Sequence, residues 1–243
     1  MEKIRLQKFF TDCGVMSRRA CEKEIEAGNI LVNGKAAFLG DKIDPDADEV
    51  IWNGKTIRYT RKDFTYIMLN KPMGYVTTMS DEKGRKTAAE LVSGVGVRVF
   101  PVGRLDMYSE GLLIFTDDGE LANKLTHPSG NLSKEYSVKI KGLLTEDDIN
   151  ALRTPMELDG YRLRPVEAAL VSSGTDRDGC DYSILHITLY EGRNRQIRRM
   201  CEKCGLTVMR LRRISECGIS LGTLPPGKWR KLSENEINTL KNA

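Results

Sequence analysis

The sequence is poor in the residues that usually build metal sites and disulfide frameworks. Only two of the 243 residues are histidine, His127 and His186, and neither is spaced to complete a zinc site with Cys201 and Cys204. We therefore expect these two cysteines to lie on a helix without a ligand role, and we predict no metal. The six cysteines also lack regular spacing, which favours a reduced intracellular protein.

Long apolar stretches are missing as well. No run of apolar residues approaches the length needed to span a bilayer, and no apolar signal core follows Met1. These observations predict a cytoplasmic protein without a membrane partner. Hydrophobic residues make up 40% of the chain and charged residues 30%, which argues against long disordered segments.

Acids are scarce in one part of the chain that is rich in arginine. The formal net charge is only +4, but the segment from His186 to Arg213 contains eight basic residues and two acids, Glu191 and Glu202. Clustered guanidinium groups suit bidentate phosphate contacts, so this segment predicts a polyanion-binding surface rather than an ordinary solvated helix face. The basic residues are Arg193, Arg195, Arg198, Arg199, Lys203, Arg210, Arg212 and Arg213.

Residues 1–60 have the pattern of a small α/β domain. Apolar residues from Leu6 to Cys13 share one helical face, and a second helix is expected between a Ser17 cap and Gly28. Two Asn-Gly pairs, at 33–34 and 53–54, predict tight hairpins. An acidic loop is expected at 41–49, between these hairpins.

Residues 61–64 read as a linker, and residues 65–243 as a larger domain. Strands and helices are mixed there without strict alternation, which predicts an α+β fold around a largely antiparallel sheet. A turn at 70–78 should lead into a further strand, and Thr87 and Glu90 have capping-box spacing for a short helix. Strands are predicted at 65–69, 134–140, 168–172, 183–189, 207–212 and 218–221, and helices at 120–125, 145–152, 195–204 and after Ser233.

Asp106 stands alone in a short turn between two apolar runs. The runs include Val99 to Val102 on one side and Leu112 to Phe115 on the other, and small residues around the acid allow a sharp bend. A carboxylate held at the mouth of a sheet can act as a nucleophile or a base. The spacing alone, however, favours a turn-capping aspartate.

Four motifs together resemble one family. They are residues 69–74, Gly103–Leu113, Lys134–Val138 and Gly192–Met200, and they resemble the ribosomal pseudouridine synthases of the RsuA/RluB/RluF type. The run 194–202 is most similar to the RluF-like branch. The order of two helices and a Val-Asn-Gly-Lys strand at 32–35 resembles an S4 RNA-binding domain.

The resemblance implies an intramolecular isomerase that works without metal or organic cofactor. Such an enzyme breaks the bond from uracil N1 to ribose C1′, turns the base and rejoins it through C5. Asp106 matches the family's catalytic aspartate, whose first attack at C1′, at C6 or along a glycal path the sequence leaves open. A basic partner is expected to keep this acid charged.

Other site residues follow from the same resemblance. Arg198 matches the arginine that pairs with the aspartate, although a phosphate contact is an alternative. Tyr136 matches the tyrosine that stacks on the target base, and Leu211 the apolar residue that closes the pocket; both could instead be core residues. Arg104 could contact a phosphate or fill the gap left by an extruded base.

The resemblance also implies an RNA partner. Arg195 and Arg199 of the basic segment, with Lys8, Arg18 and Arg19 of the first domain, are the expected RNA contacts. The substrate implied is ribosomal RNA with the large subunit favoured, either free or in an assembly intermediate, and we expect a monomer.

Two other classes of function fit parts of the sequence. A non-catalytic S4-type RNA-binding or ribosome-assembly protein would keep the basic surfaces without the reaction. A carboxylate-dependent nuclease would need clustered acids, and Glu110 is the nearest acid to Asp106 within its motif.

Overall fold

The structure is a computed structural model that describes residues 3–59, 63–127 and 130–243. The chain forms two compact units, Met1–Thr65 with Asp117–Gly119, and Tyr66–Thr116 with Glu120–Ala243. The predicted linker, 61–64, remains a prediction, because 61 and 62 lie outside the described residues. No helix within the described ranges has the length and apolar character required to cross a membrane.

The first unit contains two helices and two small sheets. Its core is formed by apolar side chains of both helices and of the strands, among them Leu6, Phe10 and Ile30. A four-stranded sheet has the order β3-β2-β5-β6, and β1 pairs with β4. The elements are β1 (Ile4–Arg5), α1 (Leu6–Asp12), α2 (Arg18–Glu26), β2 (Ile30–Val32), β3 (Lys35–Ala36), β4 (Lys42–Ile43), β5 (Val50–Trp52) and β6 (Lys55–Ile57).

Local sequence signals position these elements as predicted. Ser17 caps α2 by accepting a hydrogen bond from the Ala20 backbone N–H at 3.2 Å. Both Asn-Gly pairs form the expected hairpins, with positive φ at the asparagines (51° and 47°) and at the glycines (77° and 74°). The predicted acidic loop was wrong in one respect, because it contains β4, which pairs with β1.

The second unit is built on a nine-stranded sheet. Seven strands follow the order β13-β14-β10-β15-β9-β7-β17, while β8 pairs with β9 and β16 with β15. The elements are β7 (Tyr66–Lys71), a 3₁₀ helix (Glu90–Val95), β8 (Phe100–Val102), β9 (Glu110–Thr116), α3 (Gly119–Thr126), β10 (Lys134–Lys141), α4 (Glu146–Arg153), β11 (Glu157–Leu158), β12 (Tyr161–Arg162), β13 (Glu167–Thr175), β14 (Asp181–Leu189), α5 (Gln196–Lys203), β15 (Val208–Glu216), β16 (Ile219–Ser220), β17 (Trp229–Lys231) and α6 (Glu234–Asn242).

Both faces of this sheet are covered. Alternate residues of β9 enter two different cores, Leu113 with α4 and α5, and Leu112 with α3 and α6. Every residue of β7 and β9 is consequently buried, which explains why these strands lack a polar alternation. Among the described strand pairs of the sheet, β9 with β15 is parallel and the others are antiparallel, so the predicted α+β fold is confirmed.

The parallel contact between β9 and β15 requires a glycine. Gly111 has a φ of 106°, and a Cβ atom there would overlap the carbonyl group of Arg213 and lie 2.8 Å from its backbone nitrogen. No other residue type fits this crossing without moving one strand. Gly111 thus lets the strand that follows Asp106 lie directly against the strand that carries Leu211 and Arg213.

Two sequence predictions for this unit need correction. The strand expected after the turn at 70–78 is reduced to an isolated bridge between Val76 and Thr87. The hairpin of β11 and β12 was missed, since each of its strands has only two residues and carries no apolar alternation. Thr87 and Glu90 do make the reciprocal capping contacts that their spacing predicted.

Candidate active site

Asp106 lies in the short segment between β8 and β9. The Ser109 backbone N–H donates to the Asp106 carbonyl at 3.0 Å and closes a turn. The Asp106 side chain is half-buried, whereas Leu105 and Ser109 on either side are buried. The predicted turn is confirmed, and Asp106 is one of the residues that line an open cleft.

Two parts of the chain, the turn at 70–78 and α5, hold the backbone around this acid. The Thr77 hydroxyl donates to the Leu105 carbonyl at 2.7 Å and accepts from the Leu105 N–H at 3.2 Å. The Gly74 N–H donates to the Met107 carbonyl at 2.8 Å. Arg198 of α5 adds a third hold, because its Nη2 donates to the carbonyl of Tyr108 at 2.8 Å.

Arg198 therefore donates a hydrogen bond to the backbone beside Asp106. The predicted ion pair between the side chains of Arg198 and Asp106 is absent. No nitrogen–oxygen distance of 4.0 Å or less joins them in this structure. Burial lowers the pKa of Arg198, Arg195 adds to this effect, and the charge of Asp106 opposes it. Asp106 and Arg198 thus interact through space, while the guanidinium is committed to the Tyr108 carbonyl.

Lys71 supplies a second positive charge near Asp106. This side chain is fully buried at the end of β7, where its ammonium donates to the Pro72 carbonyl at 3.1 Å and the Tyr75 carbonyl at 2.8 Å. Burial lowers its pKa to about 8, against the opposing charges of Asp106 and Glu110. A lysine that ends a buried strand of mostly apolar residues is a sequence signal that could have revealed this group.

A buried ion pair lies on β15, the strand that pairs with β9. Arg213 is 1% exposed, its Nε donates to the Leu112 carbonyl at 2.7 Å, and its Nη2 lies 3.1 Å from Glu216 Oε2. Tyr136 is close to this pair, and burial raises the pKa of its phenol while the charge of Arg213 opposes the shift. Removing either partner of such a pair leaves an uncompensated buried charge. The pair of Arg213 and Glu216 therefore fixes the buried side of the site.

The cleft gathers five of the ten site residues singled out from the sequence, and Arg198, Arg199, Arg18, Arg19 and Lys8 are not part of its lining. It has a volume of about 490 Å³ and is lined by Arg104, Asp106, Tyr136, Arg195 and Leu211 together with Arg213 and Glu216. Tyr136 and Leu211 lie on β10 and β15, which pair directly through Val138 and Leu211. The first unit carries Arg18 and Arg19 as exposed residues of α2, and Lys8 on α1 forms an ion pair with Asp12 at 2.8 Å.

The basic segment is less open than the sequence predicted. Arg213 was counted as part of a phosphate-binding surface, but it is buried with Glu216. Other arginines of the segment are matched by acids that are distant in sequence, Arg199 by Asp159 and Arg210 by Glu110. Arg195 is exposed, with a left-handed backbone (φ 49°) at the start of α5.

Cys201 and Cys204 both belong to the end of α5. Burial raises the pKa of Cys201 to about 12, and burial also raises that of Cys204. Within the described ranges, no cluster of three or more His, Cys, Asp or Glu side chains could hold a metal ion.

Comparison with known proteins decides the family. A family model described as RNA pseudouridylate synthase matches residues 65–203, which include Asp106, Tyr136 and Arg198. The chain belongs to the RNA pseudouridine synthases. The synthase is an isomerase, and its similarity is to relatives of the RsuA/RluB/RluF type, as the sequence motifs predicted.

Three relatives and one solved structure illustrate the similarity. The synthase is 40% identical to an uncharacterized RNA pseudouridine synthase of Aquifex aeolicus (100% of this chain, 96% of the relative). It is 37% identical to ribosomal large subunit pseudouridine synthase B of Bacillus subtilis (98% and 95%) and to dual-specificity RNA pseudouridine synthase RluF of Escherichia coli K12 (96% and 77%). A crystal structure of a pseudouridylate synthase matches with a TM-score of 0.67 and 26% identity (98% and 99%).

The buried Lys71 of the synthase generates a pH prediction. Between pH 8 and 10.5 the unfolded chain still binds the lysine proton that the folded chain has released, so stability should rise with pH in this window. The unfolding free energy of the wild type relative to Lys71→Met should accordingly increase from pH 8 to 10.5. Urea unfolding at several pH values measures it.

A matched lysine provides the control for that measurement. Lys231→Met removes an exposed lysine of β17 and should leave the difference from wild type independent of pH. Parallel stability curves for wild type and Lys71→Met would contradict the assignment of a depressed pKa to Lys71.

Proposed function

We propose that this synthase isomerises specific uridines of ribosomal RNA, with large-subunit RNA favoured, and that Asp106 is its attacking group. The observation that carries the proposal is that Asp106, on a backbone-anchored turn, lines a cleft of about 490 Å³. Family membership supports the reaction. The ribosomal large subunit specified in the name of the Bacillus subtilis relative supports the choice of substrate.

The reaction requires a carboxylate, not a metal. Asp106 attacks the nucleoside at ribose C1′ or at C6 of the base, and the N1–C1′ bond breaks. The uracil then turns and C5 joins C1′, while the bond between Asp106 and the nucleoside breaks and frees the carboxylate. The proton on C5 is released, and N1 takes up a proton. Lys71 and Arg198 supply positive charge near the attacking group during this sequence.

Three other residues of the cleft receive the target nucleotide. Tyr136 stacks on the extruded base, and Leu211 on the adjacent strand closes the apolar side of the pocket. Arg104 is exposed two residues before Asp106, where its guanidinium contacts a phosphate or fills the space vacated by the base. Stacking and charge in one side chain suit that position.

Arg198 acts as a positioning residue in this proposal, since it holds the carbonyl of Tyr108. Arg195 is exposed at the cleft and contacts the RNA backbone. Arg199 joins that surface while its guanidinium is shared with Asp159.

The first unit serves as an S4-type RNA-binding domain in the same proposal. Arg18 and Arg19 are exposed at the start of α2, and Lys8 adds charge on α1. They contact phosphates of the substrate, which is free ribosomal RNA or an assembly intermediate in the cytoplasm. The synthase works as a monomer.

Replacing Asp106 tests the reaction. Asp106→Asn should abolish tritium release from ribosomal RNA labelled at uracil C5, because an amide is not a nucleophile. RNA affinity should stay within about twofold, since the substitution removes no phosphate contact. Asp178→Asn, which alters an exposed hairpin residue, is the control and should keep full activity. A wild-type rate in Asp106→Asn would contradict the proposal, and so would a large loss of affinity.

Neutralising the first unit tests the RNA-binding role. Arg18→Gln with Arg19→Gln should reduce the slope of log affinity against log salt by roughly 1 to 2, as expected when two phosphate contacts are lost. Titrations of transcribed ribosomal RNA at several salt concentrations measure the slope. Lys83→Gln with Arg177→Gln removes the same charge from exposed loops of the larger unit and should change the slope less. Equal slopes for both double variants would argue against an RNA-binding face on α2.

A further inference from the structure

The hairpin of β11 and β12 brings an aromatic ring to the edge of the cleft. Its turn is formed by Asp159 and Gly160, both with positive φ (54° and 74°), and Tyr161 follows directly on β12. Tyr161 lines the cleft that contains Asp106, yet 38% of this residue is exposed. An exposed aromatic ring at a fixed position on a cleft wall is available to a ligand.

The guanidinium of Arg193 lies over this ring, 3.1 Å from its centroid. The same guanidinium has its Nε 3.7 Å from Glu191 Oε2, and the Arg193 side chain is 41% exposed. Glu191 is itself fixed, because it accepts hydrogen bonds from Gln196 Nε2 at 3.1 Å and from the Arg164 N–H at 3.0 Å. Tyr161 and Arg193 thus form an ordered stack that remains partly open to solvent.

Hydrogen bonds connect the β11–β12 hairpin to α5. Arg199 donates two hydrogen bonds to the Asp159 carboxylate, at 2.8 and 2.5 Å, and Lys203 donates to the Glu157 carbonyl at 2.6 Å. Leu158 is buried beneath the turn. The stack is therefore preorganised by the same helix that holds the Asp106 turn through Arg198.

We propose that the Tyr161–Arg193 stack binds an unpaired nucleobase next to the uridine that enters the cleft. Planar guanidinium and aromatic groups are the surfaces on which splayed-out RNA bases stack, and every base offers the required face. The positive charge of Arg193 and of Arg195 nearby suits the phosphate that connects two adjacent nucleotides. The site selects for an unstacked base, and it tolerates different base identities.

This inference rests on the proposed function only in that the cleft receives the reacting uridine. It predicts where the strand leaves the cleft, namely over the β11–β12 hairpin. The target uridine must consequently have at least one unpaired neighbour, as in a loop or bulge, because a neighbour in a helix would present no open face.

Oligonucleotide binding tests the proposal. The probes are fluorescein-labelled hexauridylate and the same oligonucleotide with abasic residues at all positions except one central uridine, measured by fluorescence anisotropy. The wild type should bind the intact probe about tenfold more tightly, in line with the known cost of losing base–aromatic stacking. Tyr161→Ala should bind both probes alike, whereas Tyr161→Phe should keep the preference.

Two further variants separate stacking from charge and from general damage. Arg193→Lys keeps the positive charge but loses the planar group, so it should lose most of the preference. Tyr182→Ala removes another ring that carries a cation, Lys139 Nζ at 3.9 Å, but Tyr182 does not line the cleft. This control should behave as wild type.

Failure of the inference can be told apart from failure of the proposed function. Equal binding of both probes by the wild type, or an undiminished preference in Tyr161→Ala, would overturn the stacking site. Pseudouridine formation by the wild-type protein on transcribed ribosomal RNA is measured separately and would remain intact in that case. On that RNA, Tyr161→Ala should raise KM about tenfold with little change in kcat.

Discussion

The site depends on how the backbone from Leu105 to Ser109 is held. A single carboxylate can act reliably only if its main chain cannot turn away. Here the restraint comes from a hydroxyl and a backbone amide of the turn at 70–78, and from a guanidinium of α5. Thr77 contacts Leu105 in both directions, and Arg198 reaches the carbonyl of Tyr108. These contacts leave the Asp106 side chain available to the cleft, because the surrounding backbone groups already have partners.

Burying the charged groups below the cleft costs free energy, and each of these groups has a partner that offsets part of this cost. Arg213 and Glu216 are both almost fully buried and lie within ion-pair distance of each other, while Lys71 satisfies its ammonium on two backbone carbonyls. Burying charge in this way contributes little net stability, but removing one partner is expensive. The arrangement places positive charge near Asp106 and fixes the strands around it. Gly111 makes this possible, since it lets the backbone of Arg213 lie against β9.

Much of the fold follows from local sequence rules, and the site follows only in part. The Ser17 cap and the Asn-Gly turns appear where their chemistry requires them, since each depends on a few neighbouring residues. The turn at Asp106 was predicted because this residue interrupts two apolar runs, whereas its role as the attacking group was inferred from the resemblance to the family. The state of the arginines was not predictable. Arg199 pairs with Asp159, which is 40 residues away, and such pairing depends on tertiary contacts. Arg213 and Glu216 are neighbours on β15, but their burial depends on the elements packed around that strand. The β11–β12 hairpin was missed for the same reason, because its side chains are fixed by α5 and not by their own pattern.

The central claim, that the held backbone is what makes Asp106 effective, is tested most directly by the Thr77 hydroxyl. Thr77→Val keeps the shape but removes both contacts to Leu105, and Thr78→Val removes two local hydrogen bonds with the Ser80 backbone. The measurement is kcat and KM for pseudouridine formation on transcribed ribosomal RNA. The account predicts that Thr77→Val lowers kcat by at least about tenfold with KM nearly unchanged, while Thr78→Val stays at the wild-type rate. A wild-type kcat for Thr77→Val in a folded protein would contradict it.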